Sequence, residues 1–349
     1  MVAARAPAWR YELVAHGGQP LAEITPRGRG LTLDLTAAGA ARFSLSAAEA
    51  AGLRDLMQPG LCDILVSEGD TPRFRGEFTG AQGSDLTVTA GTIQFAAVGI
   101  AELLADRYIP AGREIAATEQ TAMAWQLVAD TQALPNGDLG ILQGSLPDSI
   151  ARTKQWDTAT PVLSGLREIA GLDGGFEWDI TPNADGRYVF DAFYPRRGFA
   201  SGVVLDSRNV AAASPTWDAG AGALCNYASV TGVDGVAVVA EDTGSQIAYR
   251  RRERSIALSD ADDVTILGDR AAAEVRDAVV RPSASLRMLP GADTASLAEL
   301  GLGDIVTVEF DAGWARLTGD YRILRLDLAI PDGGGAETIT ATVEPWLGA

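Results

Sequence analysis

The sequence predicts a mainly β protein with α+β insertions. Two related small β-barrel domains, residues 1–105 and 201–349, flank a smaller α/β domain at 106–200. Three observations predict this. Both ends of the chain carry short, partly alternating apolar segments separated by Gly and Pro clusters. The middle places apolar residues at helical spacing. One string recurs near both ends: Gly60-Leu61-Cys62-Asp63-Ile64 and Gly301-Leu302-Gly303-Asp304-Ile305.

In the first region the expected strands are 10–15, 21–24, 31–35, 41–45, 61–67, 73–79 and 85–90, with Gly17-Gly18 and Pro59-Gly60 as punctuation. A helix is expected over 46–57, because Ser46 and Glu49 stand at capping-box spacing and Pro59-Gly60 stops the run. In the middle region, 100–105, 118–132 and 161–170 read as helices. Ala122, Trp125, Leu127, Val128 and Thr131 mark one apolar face; Val162, Leu163, Leu166 and Ile169 mark another. Segment 135–149 is loop-like, with Asn136-Gly137 as a turn. Strands 176–180 and 187–193 then form a hairpin around Pro182-Asn183-Ala184-Asp185-Gly186. Beyond it, strands are expected at 203–206, 223–232, 236–240, 246–254, 297–310, 314–328 and 338–343. One helix, at about 263–281, interrupts them. Ser259 to Asp263 supply its cap and acidic first turn, and Pro282 ends it.

The chain has 349 residues, with 28 Lys+Arg against 46 Asp+Glu and a formal charge of −18. Hydrophobic residues make up 47% and charged residues 21%, which argues against a disordered or fibrous chain. The length suits two or three domains, each with its own core. Phosphate affinity comes mostly from Lys and Arg, so the acidic excess argues against a broad nucleic-acid-binding surface. His16 is the only histidine, which removes most hydrolase triads and His-ligated metals. Cys62 and Cys225 are too far apart in sequence for a disulfide framework or a short-spaced zinc site, and read as small buried residues. Lys154 is the only lysine; the arginine bias points to no particular site. No run reaches signal-peptide or membrane-spanning length, so a soluble chain made in a cytoplasm is expected.

The recurring string is followed, after a turn, by Arg75-Gly76-Glu77-Phe78 in one copy and Thr318-Gly319-Asp320-Tyr321 in the other. Gly can take positive φ there, the acid can hold the turn, and alternating apolar residues can face an interior. Gly-rich hairpins in general look like this. Two related barrels are the preferred reading, because both copies lie in β-rich regions.

This order of modules resembles a known family. The first hairpin is followed by a helical stretch leading to Gly174-Gly175-Phe176-Glu177-Trp178-Asp179-Ile180, then by the charged Tyr194-Pro195-Arg196-Arg197-Gly198. Val204-Leu205-Asp206 to Asn209-Val210 leads on to Asn226-Tyr227-Ala228-Ser229-Val230-Thr231-Gly232. The second hairpin closes with Gly319-Asp320-Tyr321-Arg322-Ile323. The whole resembles the tail-hub, or baseplate-hub, proteins of long-tailed bacteriophages, particularly minor tail proteins of actinobacterial siphophages. The resemblance implies a homotrimeric ring at the distal end of the tail tube, with two tube-like barrels per chain. Three chains then offer six barrels, and a threefold hub can dock beneath a sixfold tube. The implied partners are the distal tail or tail tube protein, the tape-measure protein, and tip or fibre proteins. The implied place is the tail tip of the virion, assembled in the bacterial host's cytoplasm. DNA would pass through the lumen without stable binding, which suits an acidic wall. No membrane insertion, cofactor or enzymatic activity is implied.

The chemistry the residues offer is sparse, and no catalytic, cofactor-binding or metal residue is assigned. Glu177 and Asp179 share a strand face beside Trp178, a pairing that a tail-associated carbohydrate-active enzyme could use. A solvated strand face with Phe176 and Trp178 packed inward is the preferred reading. A glycan- or receptor-binding β-module is a further alternative, with Trp217 or Trp314 as its aromatic platform. Asp260, Asp262 and Asp263 read as helix capping rather than a calcium loop, since the Gly and distal Glu of an EF-hand are missing. No phosphate-binding Gly-rich motif with a following Lys is present. Arg250-Arg251-Arg252 with Arg254 is the one basic cluster, and suits a strand at a subunit contact, an anion contact or a solvated face.

Overall fold

The computed structural model describes residues 9–346, apart from 87–89, 218–222, 234, 259, 260, 262, 279–281, 291–296, 312, 314, 315 and 334. The protein is mainly β, and its two β regions are continuous with one another. Thirteen strands from both regions join in a single sheet, and no sheet among the described residues closes on itself. The reason is one long strand, Arg316–Ile330. Its first half pairs with Ile305–Asp311, and its second half pairs with Arg27–Asp34 from the N-terminal region. Its other edge pairs with Thr338–Pro345. From Arg27–Asp34 the sheet continues through Ala40–Ser46, Thr92–Gly99, Thr71–Ser84, Asp63–Glu68 and Trp9–Val14 to Pro20–Ile24. At the other end lie Ser283–Met288 and Val210–Thr216, while Ala200–Asp206 pairs in parallel with Ile305–Asp311.

One apolar core serves this whole sheet. Tyr11, Phe43, Phe78 and Phe95 from the first region pack in the same cluster as Tyr321, Ile323 and Leu326 from the second. Phe43 sits at its centre, within 5.5–5.9 Å of the rings of Tyr11, Phe78 and Phe95. Burial of this kind stabilises by about 25 cal/mol per Å² of apolar surface.

The inserted unit has its own core. Helix Val162–Ala170 buries Val162, Leu163, Leu166 and Ile169, the stripe its spacing predicts. Helix Gln120–Gln132 is rotated from the expected face: Met123, Ala124, Leu127, Val128 and Thr131 are buried, while Ala122 and Trp125 are half-buried. Its first turn follows a strand, Arg113–Glu119, whose pairing with Ala151–Trp156 lies outside any local pattern. The expected helix at 100–105 is a 3₁₀ turn, Ile100–Asp106. The hairpin Glu177–Pro182/Tyr188–Phe193 forms as expected; the Asn183 side chain accepts from the backbone N–H groups of Asp185 and Arg187 across the turn.

A third, smaller core lies within 225–278, where Tyr227–Thr231 pairs with Ala237–Glu241 and Glu253–Ala257 beneath helix Val264–Asp277. The expected strand 246–254 is therefore wrong in its first half. Thr243–Tyr249 is helical, because Asp242 accepts from the Ser245 N–H and caps it. Strand 85–90 is likewise displaced. Asp85, Leu86 and Ala90 belong to no strand, positions 87–89 lie outside the described residues, and the strand runs over Thr92–Gly99. Residues 297–300 are not strand; that element begins at Ile305.

Both copies of the string lead into a strand, but they differ at the glycine and in the register that follows. Gly60 takes φ +78°, whereas in the second copy the left-handed residue is Gly303 (φ +85°), not Gly301. Gly76 lies opposite Ile64, but Gly319 lies opposite Val308, three residues beyond the matching Ile305. The two hairpins are thus similar in their first strands and offset in their second.

Candidate functional site

Buried charge concentrates where the inserted unit meets the rest of the molecule. The first joint is built on Arg75 and Asp63, which are 3% and 0% exposed. Arg75 Nε donates to Asp63 Oδ2 at 2.9 Å, Nη1 to the Gly186 carbonyl at 3.1 Å, and Nη2 to the carbonyls of Ala15 (3.0 Å) and His16 (2.9 Å). Its guanidinium lies 4.3 Å from the centre of the Tyr188 ring. All three nitrogens of the fork donate, a geometry that Lys could not supply. His16 Nδ1 stands 3.4 Å from Asp63 Oδ1. Burial, reinforced by the Asp63 charge, holds the Tyr188 hydroxyl well above the usual phenol range. Gly186 has φ +72°, and a Cβ there would come within 2.9 Å of Leu65, so the hairpin tip can approach the sheet only as glycine.

The second joint holds the other end of the same hairpin. Arg322, 3% exposed, donates from both Nη atoms to the two oxygens of Glu177, and from Nη2 to the Arg197 carbonyl at 2.9 Å. The Arg197 N–H donates back to Glu177 Oε2 at 2.8 Å, and its guanidinium pairs with Asp179. Burial holds the Asp179 carboxyl above the ordinary carboxylate range, with Arg197 pulling it down. Asp304, the acid of the second string, accepts from the N–H groups of Gly301 and Phe199. Here too glycine permits contact: a Cβ on Gly198 would lie 2.0 Å from the Gly303 carbonyl oxygen.

A third joint ties the inserted unit to the small core around 225–278. Arg152 pairs with Asp269 and donates to the Asp173 carbonyl at 2.7 Å; Arg276 pairs with Asp173, and the Asp173 N–H donates to the Asp269 carbonyl.

The structure therefore corrects the reading of Glu177 and Asp179. They are not a solvated face, and both are committed to arginine. Trp178 between them stacks on Phe190, with ring centres 5.8 Å apart, and Phe176 is buried. Beside this strand runs a cleft of about 250 Å³ lined by Asp34, Glu102, Arg167, Glu177 and Asp179. Among the described residues no group of three or more His, Cys, Asp or Glu is placed to hold a metal. Among the described residues no helix is long and apolar enough to cross a membrane. Trp217 is 43% exposed, and Trp314 lies outside the described residues. Asp263 caps helix Val264–Asp277 through the Thr265 N–H; Asp260 and Asp262 also lie outside the described residues. Arg75, Arg322 and Arg152 were missed from sequence. The arginine-for-lysine bias was the available signal, but it marks a residue type rather than a place.

Comparison of the whole fold with solved structures gives full-length matches. The chain is similar to the 43 kDa tail protein of prophage MuSo2 from Shewanella oneidensis, with a TM-score of 0.63 and 16% identity, covering 96% of this chain and 98% of that one. It is equally similar to a tail protein from Neisseria meningitidis MC58, with a TM-score of 0.65 and 13% identity, covering 97% of each. The fold is that of phage tail proteins. A third match is the E. coli c3393 protein, described as a type VI secretion component similar to the T4 tail proteins gp27 and gp5. Its TM-score is 0.57 at 11% identity, over 92% of this chain and 73% of that one. No family model and no curated protein matches the sequence.

Proposed function

We propose that this chain is a structural protein of a phage tail, forming a homotrimeric hub at the distal end of the tail tube. The observation that carries the reading is the match in fold along the whole of two tail proteins and the whole of this chain. A shared building block would match one unit; here the likeness covers nearly the whole of both chains. The joints support a structural role, because they spend buried arginines on fixing units against one another rather than on an open site. In this reading residues 1–105, 106–200 and 201–349 are the functional units, and the two β regions act as barrel-like lobes. Three copies then present six lobes to a sixfold tube while offering threefold symmetry to tip or fibre proteins. The distal tail or tube protein and the tape-measure protein are the neighbours above. The acidic balance suits a conduit through which DNA passes without being held. The protein would be found in the virion, at the tail tip, and actinobacterial siphophages are its proposed source.

Electron microscopy of the purified full chain and of the particle that carries it, with native mass measurement, tests this. A threefold ring with six lobes at the tail tip is the expected result. A monomer at every concentration, absent from tails, would overturn it.

A further inference from the structure

Among the described residues the small sheet at 225–278 has no further strand on either edge, and the backbone pattern of the two edges can be read from the hydrogen bonds. On one side the Asp242 N–H donates to the Asn226 carbonyl (3.0 Å) and the Gly232 N–H to the Val236 carbonyl (2.9 Å). The antiparallel alternation therefore turns Val236, Val238 and Ala240 inward and leaves Ala237, Val239 and Glu241 facing out. On the other side the Tyr227 N–H donates to the Arg252 carbonyl (3.1 Å) and the Leu258 N–H to the Thr231 carbonyl (2.9 Å). The parallel register then leaves Glu253, Ser255 and Ala257 facing out. Among the described residues, the main-chain groups of these six positions have no hydrogen-bond partner.

Such edges are usually guarded. In the large sheet, edge strand Pro20–Ile24 opens with Pro20 and edge strand Val210–Thr216 contains Pro215. Ala237–Glu241 reads Ala-Val-Val-Ala-Glu, with no proline, glycine or basic residue. Exposed apolar side chains stand on it and on the helix that follows: Val239 is 46% exposed, and on helix Thr243–Tyr249, which buries none of its residues, Ile247 is 87% exposed.

We propose that this sheet is an interface between copies of the chain, with edge Ala237–Glu241 of one copy pairing with edge Glu253–Ala257 of the next. Charge selects the occupant. Glu241 and Glu253 lie on either side of Tyr227, so Glu241-Asp242 and the basic run Arg250-Arg251-Arg252 sit at the same end of the sheet. Arg251 is engaged with Glu253 and the Tyr227 ring, while Arg250 and Arg252 have no carboxylate partner among the described residues. The two edges run antiparallel within a copy. A junction that continues this order brings the arginines of one copy to the acids of its neighbour. Such a contact is head-to-tail, and it closes at three if the rotation is threefold. The inference rests on the homotrimer reading and names the surface that makes it.

The test uses the full chain. Val239→Pro deletes an outward N–H and leaves every inward bond of the small sheet. It should weaken association about tenfold, the scale of one interfacial hydrogen bond with its unsatisfied partner, without changing the circular dichroism. The double variant Val239→Cys/Ser255→Cys should give disulfide-linked dimers and trimers on oxidation, and each single variant only monomers. A wild-type trimer that forms no such links and ignores Val239→Pro overturns this interface and leaves the hub reading standing. Links formed by Val239→Cys alone would mean edge-to-same-edge pairing and would also overturn it. A wild type that never associates overturns both.

Discussion

Cys62 is 1% exposed and immediately precedes Asp63, so burial, aided by that negative charge, pushes its thiol up to about 11. Its Sγ donates to the Leu56 carbonyl at 3.0 Å. At pH 8 the thiolate fraction is on the order of 10⁻³, and the sulfur is out of solvent as well. Iodoacetamide should therefore leave Cys62 and the equally buried Cys225 unlabelled in the native protein and label both in urea. Fast native labelling at Cys62, followed by mass spectrometry, would show that the hairpin of Asp63–Glu68 opens on its own. The expectation that both cysteines are buried came from their number and spacing. The role of Asp63 did not. As the acid of a turn string it was expected to hold the turn, as Asp304 does. Its true partner, Arg75, is found only once the two strands pair.

Helix Ala47–Gly52 shows the kind of element that sequence makes legible. Ser46 Oγ accepts from the Glu49 N–H, and the Glu49 carboxylate accepts from the Ser46 N–H and hydroxyl, so the whole box is local. The Ser46 hydrogen bonds hold the Glu49 carboxyl below its ordinary value. A carboxyl lowered in the folded state contributes stability that is present above the ordinary carboxylate value. That contribution is lost as pH falls through the lowered one. Ser46→Ala should thus cost about 1 kcal/mol at pH 7 in the urea transition of the sheet, and distinctly less at pH 3. An equal cost at both pH values would mean that the Glu49 half of the box contributes nothing. The same local logic gave the Val162–Ala170 stripe and the 177–193 hairpin. It failed at Thr243–Tyr249, where the Asp242 cap was overlooked, and at Thr92–Gly99, where the strand was expected over 85–90 instead. Nor does it reach how the two β regions join. A repeated string fixes a local turn, whereas Arg316–Ile330 is set by length and by pairing with residues almost three hundred positions away.

At the scale of the whole molecule, one hairpin is clamped at both ends by arginines from opposite halves of the chain. Arg75 grips its tip and Arg322 its first residue, Glu177. Removing one member of such a buried pair leaves the other charged and unsatisfied, at a cost of about 3–5 kcal/mol. Much of that cost should appear as loosening of the joint, because the large sheet and the inserted unit have separate cores. Arg322→Lys keeps the charge and loses the fork. It should speed hydrogen exchange at Arg197, Phe199 and Gly303, whose backbone groups close the second joint, by tenfold or more, the scale of about 1.4 kcal/mol. Amides beside the first joint, at Ile64 and Gly186, should be unchanged. Glu177→Gln should give the same pattern, since it keeps the shape of the side chain but discards one charge of the pair. Uniform acceleration across both joints would mean that the hairpin moves as one piece with the sheet. The two clamps would then be a single cooperative unit rather than independent fastenings, and the inserted unit would have no freedom to adjust its angle when copies meet.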